Sequence, residues 1–408
     1  MSSTLGSRIR QIRKHQKKTL TDIAGNHLTK GMLSLIENDK AQPSMDSLHH
    51  IAKVLGVEIN TLLEEHSIYD LRKMILNAHE LYKNRAFNEV IQLLEPYLSV
   101  EKVHSYELAT LATVYAKSLY MEKDKGWQDY LQLAESYFQS MHLYNEIAPL
   151  DLFKIAIFMW EKKYDQSLAY LREKRQEYED AHIELDIIHE LGFRYHEVGC
   201  LIFVGEIEEA LSKVDENIIY QTKHKHFYRM DEYYRIAIIF SMIDQQEERM
   251  IHYLTKLDLL CDLFEDKNMI GFSLFLKAHI YNEYYHDYTK ALTFTDELQK
   301  LFDDDVLYIE ELETGKALYG LGQYEKALLS FKDLEQKDLG SLLELDQSLL
   351  VPRYSYQALC YEKLGDHTKA VTLAKKAQVE MKKLIKPIEY YNRFVNETYK
   401  QLTEQKKA

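Results

Sequence analysis

Apolar residues recur along this chain with the three-and-four spacing of amphipathic helices, almost from end to end. Leu5, Ile9 and Ile12 share one face of a first helix, with Arg8, Arg10, Arg13 and Lys14 around the rest. Thr19 stands where it can cap a short second helix whose Leu20, Ile23 and Ala24 turn inward. Thr29 stands in the same relation to a third helix, Lys30 to Asn38, with Leu33 and Ile36 as its inner pair. Pro43-Ser44 opens a fourth, with Leu48, Ile51, Ala52 and Leu55 as its stripe and Gly56 as its stop. Ile59, Leu62 and Leu63 mark a short fifth. The pattern predicts an all-α chain whose first domain, residues 1–66, is a set of five short helices with a tight turn between the second and third.

From Tyr69 onward the periodicity continues and a hairpin signature recurs. The clearest copies are Gly205-Glu206-Ile207-Glu208-Glu209-Ala210-Leu211, Gly322-Gln323-Tyr324-Glu325-Lys326-Ala327-Leu328 and Gly365-Asp366-His367-Thr368-Lys369-Ala370-Val371. Weaker copies surround Val90, Ser167 and Ala291. Each has one physical logic. Gly or a small polar residue ends the first helix, an aromatic or Ile plugs the turn, and a small residue lets the second helix pack close. With Tyr130 and Met250 filling the gaps, equivalent positions fall roughly 36–43 residues apart, longer than the 34 of an ordinary tetratricopeptide repeat. Residues 67–408 therefore read as about eight helical hairpins with Pro387 to Gln405 as a capping helix. The expected architecture is a right-handed tetratricopeptide-type α-solenoid with a concave inner face. Tyr69 to Asn84 is expected to continue as helix, giving a semi-rigid joint to the head.

Composition sharpens this picture. Glycine (14) and proline (5) are too scarce for a large β protein. Net charge is −14, yet residues 1–40 hold eight Lys/Arg against three acids. A small basic head on an acidic body is the arrangement expected when only the head approaches nucleic acid. Cys200, Cys261 and Cys360 lie far apart in helical contexts, which predicts buried thiols rather than a disulfide framework or metal site. No apolar run reaches membrane-spanning length. The expected location is the cytoplasm, with no membrane association.

The head's string Thr29-Lys30-Gly31-Met32-Leu33-Ser34-Leu35-Ile36-Glu37-Asn38, followed by Pro43-Ser44-Met45-Asp46-Ser47-Leu48 and Ile51-Ala52-Lys53-Val54-Leu55-Gly56-Val57, resembles the repressor-type helix-turn-helix. That resemblance implies a recognition helix entering the major groove N-terminus first, with Lys30, Gly31, Met32 and Ser34 nearest the base edges. Thr29 and Asn38 flank this helix, and Arg8, Arg13 and Lys17 are the expected phosphate contacts. The resemblance departs at Leu20, where family members often carry a glutamine that touches the DNA backbone.

A repressor-type head followed by a tetratricopeptide array of this length resembles the RNPP family of peptide-sensing quorum regulators, most like the NprR branch. The resemblance implies a homo-oligomer that binds a double-stranded operator under the control of a short signalling peptide held in the concave groove. It also implies asparagine side chains that clamp the peptide backbone, since a carboxamide both donates and accepts. Asn282 is the first candidate, with Asn77, Asn392 and Asn396 behind it. Arg194, Tyr195, Tyr234, Arg235, Lys277, Tyr319, Arg353 and Tyr356 also fall on expected first helices and complete a polar-aromatic groove. A second reading is that the array sequesters a response-regulator or other protein partner.

Catalytic signals are lacking. His182, Glu184, Asp186 and His189 form no HExxH or CxxC pairing and read as surface ion pairs. The sequence carries no phosphate-binding glycine loop and no nucleophile elbow, so the expectation is a non-enzyme without cofactor or metal.

Overall fold

The computed structural model describes residues 4–63, 68–98, 105–302, 308–333 and 344–404, and among these every regular element is a helix. They fall into two compact units, residues 1–150 and 151–408. The expected boundary at 66/67 differs from this division and itself lies outside the described residues.

The first unit begins with α1 (Leu5–His15), α2 (Leu20–Ala24), α3 (Lys30–Glu37), α4 (Met45–Leu55) and α5 (Ile59–Leu63). Their starts are capped as side-chain chemistry dictates. Thr4, Thr19, Thr29 and Ser44 accept hydrogen bonds from backbone N–H groups three residues on, and Thr19 completes a capping box with Asp22. Gly56 ends α4 in the left-handed region at φ 65°. Ile9, Ile23, Leu33, Ile36, Leu48, Ile51, Leu55 and Leu62 close a core of their own. Gly6 lets α1 meet α3 backbone to backbone, because a Cβ there would lie 2.1 Å from the Ile36 carbonyl oxygen.

Helical hairpins follow: α6 (Ile68–Lys83) with α7 (Phe87–Leu94), then α8 (Tyr106–Met121) with α9 (Trp127–Ser140). The helix α10 (Tyr144–Trp160) starts in the first unit and ends in the second. The division falls beside Pro149, which has no N–H to give to the helix ladder.

The second unit continues with α11 (Tyr164–Asp180), α12 (Ile187–Val204), α13 (Ile207–His224), α14 (Met230–Ile243), α15 (Glu247–Phe264), α16 (Lys267–Glu283) and α17 (Tyr288–Phe302). After these come α18 (Tyr308–Gly320), α19 (Tyr324–Asp333), the short α20 (Glu344–Leu350), α21 (Arg353–Lys363), α22 (His367–Met381) and the closing α23 (Glu389–Glu404).

The repeat frame is visible at two positions per hairpin. Val90, Tyr130, Ser167, Ala210, Met250, Ala291, Ala327 and Ala370 each lie three residues after the first residue of a second helix. All but the half-buried Tyr130 are fully buried. Two residues before that helix, Arg85, Lys162, Gly205, Gln245, His286, Gly322 and Gly365 have φ between 53° and 89°. The first helices α8, α12 and α14 are buried on most faces, whereas the second helices α9 and α13 bury one stripe. Cys200, Cys261 and Cys360 are buried free thiols. Among the described residues no helix is long and apolar enough to cross a membrane.

Candidate DNA-binding face and groove pockets

The inner side of α3 is fixed by Leu33, Ile36 and Glu37, so its outer side carries the residues between them. Lys30, Gly31, Met32, Leu35 and Asn38 are exposed and Ser34 is half-exposed. Thr29 holds the start of the helix through the Met32 N–H at 3.1 Å, and Asn38 closes its end by donating to the Ser34 carbonyl at 2.6 Å. Nothing would obstruct a close approach at Gly31, whose nearest neighbour to an added Cβ is 4.0 Å away. Leu35, 43% exposed, belongs to the same face as Met32 at 44%, though the sequence reading did not include it. Its signal was available: an apolar residue on a short helix, off the Leu33–Ile36 stripe.

The arginines of α1 behave differently from expectation. Arg13 forms a two-pronged pair with the buried Glu37, Nε to Oε1 at 2.6 Å and Nη2 to Oε2 at 2.7 Å, and also donates to the Lys18 carbonyl at 3.1 Å. The hydrogen bond to Glu37 holds its guanidinium charge more firmly than usual. Arg8 donates to the carbonyls of Leu62 and Leu63 at 3.0 and 2.9 Å, fastening α5 to α1. Both side chains thus have partners within the head itself. Lys17, in left-handed backbone at φ 55°, is exposed. Leu20 packs against the head's core, which is why a side chain that cannot hydrogen-bond is tolerated there.

Of the expected groove residues, the structure brings two together. Tyr195 and Arg235 line a cavity of ≈ 190 Å³ within the second unit, walled by α12, α14 and the end of α10, with Leu345 of α20 at one side. Trp160, 51% exposed, stands at the same cavity. Arg235 meets Asp346 at 2.7 Å and Glu232 at 2.9 Å. Burial opposes its charge, but the two carboxylates more than offset this and raise its pKa. His196, also lining the cavity, is pulled down to about 4 by burial and by Arg229, so its ring is neutral at pH 7. The cavity thus has apolar walls, one committed cation and a neutral imidazole, a composition suited to small-molecule or peptide side chains.

Most of the other candidates have partners within the fold. Asn282, expected as a clamp, is buried between α16 and α18 and donates to the Glu313 backbone carbonyl and Oε2, each at 2.9 Å. Around it lies an ionic cluster that the sequence reading missed. Lys316 Nζ is 2.9 Å from Glu283 and 3.0 Å from Glu313, and His279 bridges Glu313 at 2.9 Å to the Tyr391 hydroxyl at 2.8 Å. Burial works against the Glu313 charge, but Lys316 and His279 hold its carboxyl down at about 2. Tyr356 donates to Glu283 in the same cluster and packs edge-on to Tyr319. Arg194 binds Glu190 and Asn217 and covers the Tyr220 ring. Tyr234 is buried against Tyr253, Lys277 pairs with Asp258 at 2.7 Å, and Arg353 turns to the Leu350 carbonyl. Asn392 and Asn396 bond to Glu389 and to each other on α23, while Asn77 is exposed on α6. Asp186 caps α12 through the His189 N–H at 3.0 Å, which accounts for that acidic-histidine stretch.

Comparison with known proteins gives a limited frame. No protein-family model matches the chain. An immunity repressor of Bacillus phage phi105 is 31% identical over 78 residues, 19% of this chain and 54% of the repressor, so the match spans about half of that relative. Similar solved structures include PlcR of Bacillus thuringiensis in complex with the peptide PapR7 and DNA, at 18% identity and a TM-score of 0.36, covering 64% of this chain and 96% of that one. A Rap protein complexed with Competence and Sporulation Factor has 14% identity and a TM-score of 0.47, covering 83% and 99%. The apo competence regulator ComR of Streptococcus vestibularis has 13% identity and a TM-score of 0.26, covering 80% and 98%. Scores this low give the likenesses no weight for fold or function.

Proposed function

We propose that the chain is a sequence-specific DNA-binding transcription regulator whose repeat domain binds a short peptide. The observation that carries the reading is the outer face of α3. A capped helix presents Lys30, Gly31, Met32, Ser34, Leu35 and Asn38 together, on a small basic module with its own core. Lys30 is the group suited to guanine O6 and N7, and Met32 and Leu35 suit thymine methyls. Repeat-domain pairing into a homodimer would bring two such modules to a two-fold symmetric operator. The cavity at Tyr195, His196 and Trp160 is the proposed seat of peptide side chains.

Selection from random duplexes with the full-length protein tests the reading. A preferred two-fold symmetric site is expected, and Lys30→Ala should weaken it by roughly 1–3 kcal/mol while leaving the melting temperature unchanged. Arg13→Ala should instead destabilise the head, because it strands Glu37. Enrichment of no sequence, with only salt-sensitive non-specific binding, would leave this proposal without support.

A further inference from the structure

The cavity at Tyr195 and His196 holds ≈ 190 Å³. A dry apolar cavity of about 150 Å³ admits a benzene ring, so this one has room for a ring and a small substituent. Trp160, Tyr195 and Phe203 line it with aromatic surface, and Ile202 and Ile236 with aliphatic surface. Aromatic rings gain from edge-to-face contact beyond the area they bury, so these walls favour a ring over an aliphatic chain. The polar groups decide what the ring carries. Arg235 is already held by Asp346 at 2.7 Å and by Glu232 at 2.9 Å. His196 is differently placed. It is half-buried and meets the Tyr195 ring edge-on at 5.7 Å, yet its nitrogens make no hydrogen bond to any described residue. The Tyr195 hydroxyl makes none either. Its ring contacts are with His196, Tyr228 and Tyr233, and Arg229 lies over its face. Burial, followed by Arg229, keeps the His196 imidazole neutral at pH 7, where it offers one donor and one acceptor.

A neutral hydroxyl is the complement of such a group, with one proton to give and lone pairs to receive. A carboxylate would meet an arginine that two carboxylates already engage. A bare ring would displace water from His196 and leave its nitrogens unmet. We propose that this cavity takes a phenol, its ring against the aromatic and aliphatic walls and its hydroxyl hydrogen-bonded to His196, with Tyr195 as a second partner. The same chemistry has two sources: the tyrosine side chain of a peptide, or a free small phenol. Assigning the ring to a peptide rests on the peptide-binding reading above. The preference for a phenol does not.

Calorimetry on the full-length protein tests it, with p-cresol, toluene, 4-methylanisole and p-toluate as one set. Acetyl-Ala-Tyr-Ala-amide and its Phe counterpart form the second. A merely apolar pocket ranks toluene above p-cresol, because burying an unmet hydroxyl is costly. The proposal expects the reverse order, with p-cresol tighter by roughly fivefold or more. Methylation of the hydroxyl in 4-methylanisole should remove that advantage, and p-toluate should bind more weakly than p-cresol. His196→Phe keeps a ring and removes both nitrogens. It should restore the apolar order, toluene first, without lowering the melting temperature. Tighter binding of the Tyr peptide than of p-cresol assigns the ring to a peptide. Binding of p-cresol without the peptide assigns a free phenol, and the phenol site then stands while the peptide-binding reading of this cavity fails. Equal binding of the Tyr and Phe peptides would leave that reading intact and overturn the proposal. Toluene bound as tightly as p-cresol by the wild type, or no binding by either set, would also overturn it. Should His196→Phe fail to fold, the wild-type order of p-cresol, toluene and 4-methylanisole decides the matter alone.

Discussion

Lys117, half-buried on α8, and Lys316, fully buried on α18, each lie on the first helix of a hairpin, and burial and neighbouring charge weigh differently on them. Burial alone opposes the charge of either. For Lys316 the carboxylates of Glu283 and Glu313, at 2.9 and 3.0 Å, reverse this and raise its pKa. For Lys117 burial prevails and the pKa falls to about 8. What distinguishes the two is which influence prevails, burial at Lys117 and the two carboxylates at Lys316.

The strongest way to break this comparison is to remove each charge. Lys316→Met should cost the second unit about 3–5 kcal/mol, since it leaves two buried carboxylates uncompensated. Lys117→Met removes an ammonium that burial disfavours, and should cost the first unit less than Lys316→Met costs the second. Hydrogen exchange of α18 and α8 under increasing urea reads the two effects separately. A greater loss from Lys117→Met than from Lys316→Met would collapse the distinction.

A smaller effect is expected from pH. Between about 8 and 10.5 the unfolded chain keeps a proton on Lys117 that the folded chain has released. Unfolding therefore takes up a proton in that window, and stability rises with pH across it, by up to about 3 kcal/mol. Tyrosines and other lysines titrate nearby, so the observable is the wild-type curve minus that of Lys117→Met. A flat difference would show that the environment of Lys117 resembles water.

The smallest effect sharpens the Lys316 side. Asn282→Ala removes two hydrogen bonds to Glu313 and should cost about 1–2 kcal/mol of stability. Peptide affinity, where a binding peptide is found, should be unchanged. Lost affinity at an unaltered melting temperature would return Asn282 to the role of a clamp.

The helices were legible in the sequence wherever a local rule governs them. Thr19, Thr29, Ser44 and Gly56 mark helix ends because capping needs only near neighbours. The hairpin frame was plain at Gly205, Gly322 and Gly365 and faint at Arg85, Lys162, Gln245 and His286, although all seven adopt the same left-handed turn. Glycine announces that conformation. The other four adopt it because the packed hairpin requires it, and nothing local marks them. Side-chain roles were less readable. Arg13 and Asn282 have partners 24 and 31 residues away, and only the fold shows that they are engaged. Lys117 left a trace that was overlooked, a single charge in the apolar run from Leu111 to Leu119. A lone charge of that kind is worth testing on any inner helix.

A repeat array ordinarily behaves as a row of neighbours, each hairpin touching only the next, and such a row can come apart from its ends. The second unit departs from this at Arg235–Asp346, which joins α14 to α20 across 111 residues, and at His279–Tyr391, which joins α16 to α23 across 112. These stitches make the final helix a partner of the middle of the array. Fraying at the C-terminus then has to undo contacts at α16 as well, so α14 to α23 should open as one cooperative block rather than hairpin by hairpin. Closing such long loops is entropically expensive before the contacts reward it, and the block should assemble late.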